Sequence, residues 1–208
     1  MRRSISISTI AAVLGLAGCQ MTTAYKPEYV QATAVPAAEQ VDGKALLYFE
    51  ESYAGYVYNE GASTFTGSGA KLSVPIGLMT REIGRSVYGP AFREGVDVTT
   101  VPSSGGAYRV TIEPKVTDFN YYFHQAENLG FAITPGAEMS LTVTLRDPAG
   151  AEIASRTYAS GEKKGGSYMM SGSPEEKISK LAHAIMAELM TTSLVDIRAW
   201  AGAHPRTQ

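Results

Sequence analysis

The side chains able to ligate a metal, move a proton or attack a carbonyl are few in this chain. They are His124, His183 and His204, the single Cys19, and serines set among glycines at Gly67-Ser68-Gly69 and Ser171-Gly172-Ser173. A metal site wants ligands repeated at short fixed spacing. No histidine or carboxylate stands three or four residues from His183, and Glu188, five residues on, points to another side of a helix. A serine nucleophile wants a small-residue elbow and a base, and neither glycine-serine stretch has the G-x-S-x-G pattern. Gly67-Ser68-Gly69 also lacks the Lys-Ser/Thr pair of a phosphate loop and the third glycine of a dinucleotide loop. Glu50-Glu51 would point to opposite faces of a strand, and Glu175-Glu176 suit a helix start. The reading is of a chain with no catalytic residues, no metal and no cofactor, and so not an enzyme.

Cys19 closes an apolar run, Ile5 to Leu16, that follows Arg2 and Arg3. A positive start and about a dozen apolar residues are the layout of a secretory signal. A membrane span needs about 20 such residues. Leu16-Ala17-Gly18-Cys19 resembles the bacterial lipoprotein box, which implies cleavage between Gly18 and Cys19 and acylation of the cysteine. An ordinary signal peptide that happens to contain a cysteine is the competing reading. Each buried methylene contributes about 0.8 kcal/mol, so the two or three acyl chains that the resemblance implies give a stable anchor. The same resemblance brings the enterobacterial sorting rule, under which Gln20 rather than aspartate after the cysteine implies the outer membrane, here its periplasmic face.

Loss of Arg2 and Arg3 with the signal leaves 16 basic against 20 acidic residues and a formal charge of −4. No segment carries the Lys/Arg excess of a nucleic-acid binder. With Cys19 acylated, no thiol remains for a disulfide, and the fold rests on its core.

Four segments follow: a signal peptide over 1–18, a lipidated flexible tether over 19–43, one α+β domain over 44–200, and a frayed tail over 201–208. The stretch from Gln20 to Gly43 shows no sustained period and carries Pro27 and Pro36, so its expected span as a free chain is roughly 25 to 30 Å. Lys44 to Glu51 reads as a buried strand, and the next residues as an edge hairpin turning at Asn59 to Gly61. Ile76, Met79, Ile83 and Val87 form one helical stripe, with Pro75 in its first turn, Ser73 as its cap, and Gly84 marking a close helix-sheet approach. Val96 to Val101 and Tyr108 to Ile112 are strands. Beyond Pro114 a bulge or bend precedes Val116 to Phe123. Met139 to Ala159 is a hairpin turning at Asp147-Pro148-Ala149-Gly150. Ser173-Pro174-Glu175-Glu176 opens a final helix as a capping box. The expected fold is α+β, a mainly antiparallel sheet of four to five strands with two helices packed on one face, in the order β-α-β-β-β-β-α.

The excess that packing explains least is aromatic. Tyr53, Tyr56, Tyr58, Tyr121, Tyr122 and Phe123 lie beside glycine-rich or bulged segments, and Tyr168 lies in the loop before the last helix. Tyrosine offers a large apolar body with a polar tip and suits interfaces, so these seven are the interaction candidates. The competing reading makes some of them plain core or edge-strand residues.

In element order behind an anchor, the chain resembles small envelope lipoproteins of the lipopolysaccharide-assembly type and the amino-terminal domain of the Tol-system protein. The resemblance is architectural and carries over no binding residue. It implies a non-enzymatic docking or accessory component in envelope assembly, transport or secretion, with a protein partner. A peptidoglycan- or lipid-binding module is the alternative, and a cell-wall or ester hydrolase ranks third.

Overall fold

The computed structural model describes residues 20–30, 34–64, 71–102, 108–125, 132–169 and 173–203. The lipobox, with Gly18 and Cys19, lies outside them, as do Gly67 to Gly69, Ser171 and His204.

The main sheet grows around two long strands, β6 (Val110–Gln125) and β7 (Ala132–Arg146), paired antiparallel along nearly their whole length. Strict alternation produces this. Met139, Leu141, Val143 and Leu145 are buried, while Thr142 and Thr144 on the opposite face bond across to Thr157 and Ser155 at 2.8 and 3.0 Å. The partner strand β8 (Glu152–Ala159) follows the turn at Asp147 to Gly150. There Gly150 adopts φ +88° and the Asp147 carboxylate accepts the Ala151 N–H at 2.9 Å.

On its other side β6 meets β2 (Ala45–Tyr48), which also pairs β5 (Val96–Thr99); both pairings are parallel. The short β9 (Lys163–Lys164) and β10 (Tyr168–Met169) add to β7, making a mixed sheet of seven strands. A second, three-stranded sheet combines β1 (Gln20–Thr22), β3 (Tyr58–Gly61) and β4 (Lys71–Val74), in the order β1-β4-β3. The α+β class is as expected. The expected mainly antiparallel sheet of four to five strands differs in detail: the sheet is mixed and has seven strands, and the parallel pairings of β2 escape pattern reading because parallel pairing is non-local and leaves no turn signature.

Three α-helices are present among the described residues: α1 (Glu51–Ala54), α2 (Ile76–Tyr88) and α3 (Pro174–Ala203). The α2 stripe of Ile76, Met79, Ile83 and Val87 is buried as expected. Each such side chain contributes about 1.5–3 kcal/mol relative to exposure. Pro75 itself occupies the cap position and Ser73 belongs to β4, so the expected serine cap is not formed. The close backbone approach falls at Gly77, not Gly84. A Cβ on Gly77 would sit 2.1 Å from the Tyr53 carbonyl oxygen, whereas one on Gly84 would find only ordinary contacts at 3.7 and 3.8 Å. Asn59 to Gly61, expected as a turn, is strand β3. Helix α3 extends through Ala203, past the expected start of the tail. Pro174 is its first residue, as expected, but the side chains of the expected box bond elsewhere: Ser173 Oγ donates to the Glu175 carboxylate, and the Glu176 carboxylate accepts from Tyr29 Oη at 2.9 Å. No described helix is long and apolar enough to cross a membrane.

The segment expected as a free tether is laid along the domain. β1 pairs parallel with β4, and the Thr23 N–H continues the ladder to Ser73 O at 2.9 Å. Next, the Lys26 N–H donates to His183 Nε2 at 3.0 Å, and the rings of Tyr25 and Tyr29 bracket His183 at 5.5 Å each. Farther on, Val41 is buried and exchanges backbone bonds with Ala91 and Arg93. Met21, Tyr25, Val30 and Val35 pack against the core at irregular spacing. A strap lying across several elements has no period of its own, and that is why pattern reading takes it for a linker.

Candidate functional site

An open groove of about 790 Å³ lies where α1 and its following loop, β3, and the middle of β6 converge. Gly77 positions its first wall. The Gly77 N–H donates to the Tyr56 carbonyl at 2.9 Å and the Tyr56 N–H to the Tyr53 carbonyl at 2.9 Å, so the turn carrying both tyrosines is stitched to the start of α2. The two rings stack at 6.1 Å and 21°.

Tyr53 is fixed by a chain of hydrogen bonds whose protons can be counted. The Val116 N–H donates to Tyr53 Oη at 2.8 Å, and the Thr80 hydroxyl spends its proton on the Ile76 carbonyl at 2.7 Å. The Tyr53 hydroxyl therefore donates to Thr80 Oγ1, 2.8 Å away. Burial pushes the Tyr53 phenol up to about 12, so it stays neutral. Lys115 Nζ stands 5.7 Å over the Tyr53 ring and 3.6 Å from the Glu50 carboxylate.

The β6 wall is shaped by a bulge at Thr117, where the register against β7 shifts between Val116 and Asp118. Ahead of it Val110, Ile112, Pro114 and Val116 are buried; behind it the phase changes and Phe119, Tyr121 and Phe123 are buried. The strand runs through Pro114, whose missing N–H falls on the edge beyond the last residues of β2. Tyr58 of β3 meets Phe119 edge to face at 4.9 Å and Tyr121 at 6.3 Å. The Tyr121 hydroxyl donates to the Glu60 carbonyl at 3.0 Å. Burial, then the neighbouring Tyr121 and Glu60, holds the Tyr58 phenol well above its ordinary range. The rim is polar: Glu60, Asp118 and Ser63, with Ser63 Oγ donating to Asn120 Oδ1 at 3.3 Å.

Of the seven interaction candidates, Tyr53, Tyr56 and Tyr58 come together here, and only Tyr56 is open to solvent, at 44%. Val57 beside it is 47% exposed. Tyr121 and Phe123 are buried behind the groove, their rings 5.7 Å apart. They alternate with the half-buried Asn120, Tyr122 and His124 and belong to the core, so they are not available to a partner. Tyr122 lies on the opposite face of the sheet. There it donates to Glu138, which with burial raises its phenol to about 12, and stacks on His124 at 5.8 Å. The His124 ring nitrogen is 2.7 Å from Glu162. Tyr168 is half-buried in β10, opposite Ile133, outside the groove. Phe119 also lines the groove and is not among the seven candidates, although it stands two residues before Tyr121 and four before Phe123, in the same phase of the strand.

The groove offers aromatic surface, hydroxyls, two carboxylates and one ammonium. Among the described residues no group of three His, Cys, Asp or Glu side chains could hold a metal ion.

No family model matches the chain, and no curated protein matches it. Among solved structures, a Xanthomonas campestris protein assigned to the family DUF330 shares 14% identity over 89% of this chain and 99% of its own, with a TM-score of 0.54. A minor lipoprotein from Acinetobacter baumannii shares 11% identity over 75% of this chain and 92% of its own, with a TM-score of 0.38. At such identities the likeness to the Xanthomonas protein is one of fold.

Proposed function

We propose that this chain is a non-enzymatic envelope lipoprotein, held by acyl chains on Cys19 at the periplasmic face of the outer membrane. Its groove docks a protein partner in envelope assembly, transport or secretion. The observation that carries the docking role is the aromatic groove with Tyr56 exposed in its lining and the next residue, Val57, exposed as well. Apolar side chains are normally exposed singly, and an aromatic cleft with a polar rim has the anatomy of an interface centre. The anchor rests on Leu16-Ala17-Gly18-Cys19 behind its positive and apolar segment.

The test is a photo-crosslinking residue at position 56 of the full chain, expressed with its signal and irradiated in intact membranes. One discrete protein adduct, lost when Tyr58 is also replaced by Ser, supports docking. No adduct above that of a probe placed at exposed Thr157, on the other face of the sheet, refutes it. Intact mass of the membrane-extracted protein reads the anchor separately: a chain beginning at Cys19 and bearing two or three acyl groups is expected.

A further inference from the structure

We infer that the groove takes its partner as an extended polypeptide segment, added as a short strand to the open edge of β6 at Phe119. This rests on the docking reading and names the partner's chemistry. Phe119 stands opposite Met139, and Met139 uses both its backbone groups on Ser160, accepting the Ser160 N–H at 3.0 Å and donating to Ser160 Oγ at 3.0 Å. The Phe119–Met139 pair is therefore of the non-hydrogen-bonded kind, and alternation turns the Phe119 N–H and C=O away from β7 into the groove. Along that edge β2 covers β6 only as far as Ile112. Beyond it the Val116 N–H is taken by Tyr53 Oη at 2.8 Å, and the Tyr121 carbonyl by the Ser63 N–H at 2.9 Å. Between those two caps, no described residue meets either backbone group of Phe119 on that side.

A donor and an acceptor on one residue, aimed the same way from a strand edge, are what an extended chain satisfies with both groups of one of its own residues. The gap from Val116 to Tyr121 admits about three to five residues at roughly 3.3 Å each. The side chain directly opposite Phe119 would share its face, against Tyr58, and must be apolar. Its two neighbours would stand on the face of Lys115 and Asp118. Lys115 is already drawn to Glu50 at 3.6 Å, and among the described residues Asp118 and Glu60 at the rim have no ion-pair partner. The complementary segment is basic-apolar-basic, and the acidic rim turns away its acidic counterpart.

The test titrates the full, detergent-extracted chain with three capped pentapeptides: Gly-Lys-Val-Lys-Gly, the same peptide N-methylated at valine, and Gly-Glu-Val-Glu-Gly. Affinity and hydrogen exchange at the Phe119 amide are both followed. The lysine peptide is expected to bind and to slow Phe119 exchange at least tenfold. Removal of the one valine N–H is expected to weaken binding about tenfold, and the glutamate peptide to bind more weakly than the lysine one. The preference should invert in Asp118→Lys, an exposed position where the fold has little at stake. Equal binding of the methylated and unmethylated peptides, or an unprotected Phe119, overturns strand addition, as does failure of the lysine peptide to bind. In each of those cases a persisting crosslink at position 56 leaves the docking reading standing. Loss of that crosslink removes the docking reading on its own evidence.

Discussion

Replacing His183 by Phe should loosen the amino-terminal strap from α3 and flatten part of the protein's pH response. The side chain is 0% exposed. Its Nδ1 lies 2.7 Å from the Ser179 carbonyl and its Nε2 accepts the Lys26 N–H at 3.0 Å, so the neutral ring protonated at Nδ1 satisfies both partners. A proton on Nε2 would set N–H against N–H. Burial holds the imidazole below its ordinary pKa, opposed by the Ser179 carbonyl and Glu28 and assisted by Lys26; Glu176 reaches the cluster through Tyr29 Oη at 2.9 Å. The unfolded ring titrates near 6.5. Between that value and the depressed folded one the unfolded state binds more protons. The contribution to stability is therefore present above about pH 6.5 and lost as pH falls through the folded pKa. Phenylalanine keeps an aromatic body between Tyr25 and Tyr29 but strands the Lys26 N–H, at a cost of about 1–3 kcal/mol. Urea unfolding of both proteins at about pH 7.5 and 5.5, on either side of the ordinary histidine pKa, measures the effect, and hydrogen exchange at Lys26 localises it. Wild type should lose more stability than the variant on acidification, and the Lys26 amide should exchange faster in the variant. Equal stabilities at both pH values together with unchanged Lys26 exchange would refute the assignment of His183 as the clasp.

Gly77→Ala should cost at least about 1–3 kcal/mol in unfolding free energy, because its Cβ would meet the backbone oxygens of Tyr53 and Ala54 at 2.1 and 2.7 Å, and backbone has little room to yield. Gly136→Ala makes a contact that looks as close, 2.7 Å, but against the tip of the Glu162 side chain, which can swing aside. Its denaturation midpoint should move by no more than about 0.5 kcal/mol equivalent, while the His124–Glu162 contact is lost from side-chain NMR. Tyr53→Phe should cost about 1–3 kcal/mol by leaving the Val116 N–H without its acceptor, with faster exchange at Val116 as the specific sign.

Elements written in local chemistry were legible in the sequence. The α2 stripe, the alternation of Met139 to Leu145 and the Asp147–Gly150 turn each depend on residues within a few positions of one another. Features made by distant meetings were not. "ALLY" at Ala45 to Tyr48 says that a strand is buried, and nothing in it says that its neighbours on both sides run parallel. Gly77 carries no mark of the Tyr53 carbonyl pressed against it, while Gly84, in the more regular middle of the stripe, drew the inference that belonged to Gly77. Three of the seven aromatic candidates converge because α1, β3 and the bulge at Thr117 meet, and a count of tyrosines cannot foretell that meeting. The interest of Phe119 lies in the direction of its main chain, which depends on the bulge at Thr117 and on the pairing with Met139 and so has no mark in the residue type.

The parallel pairing of Gln20, Met21 and Thr22 with Lys71, Leu72 and Ser73 fixes the domain's leading strand from its first described residue. Were glycerol and fatty acids carried by Cys19, a single peptide bond would separate them from this ladder. The folded body would then ride moored hard against the lipid headgroups, its small sheet lowermost, without slack to roam the periplasm. Any partner would have to come down to the bilayer to be met, and swivelling about the mooring would be confined to the few dihedrals of one residue.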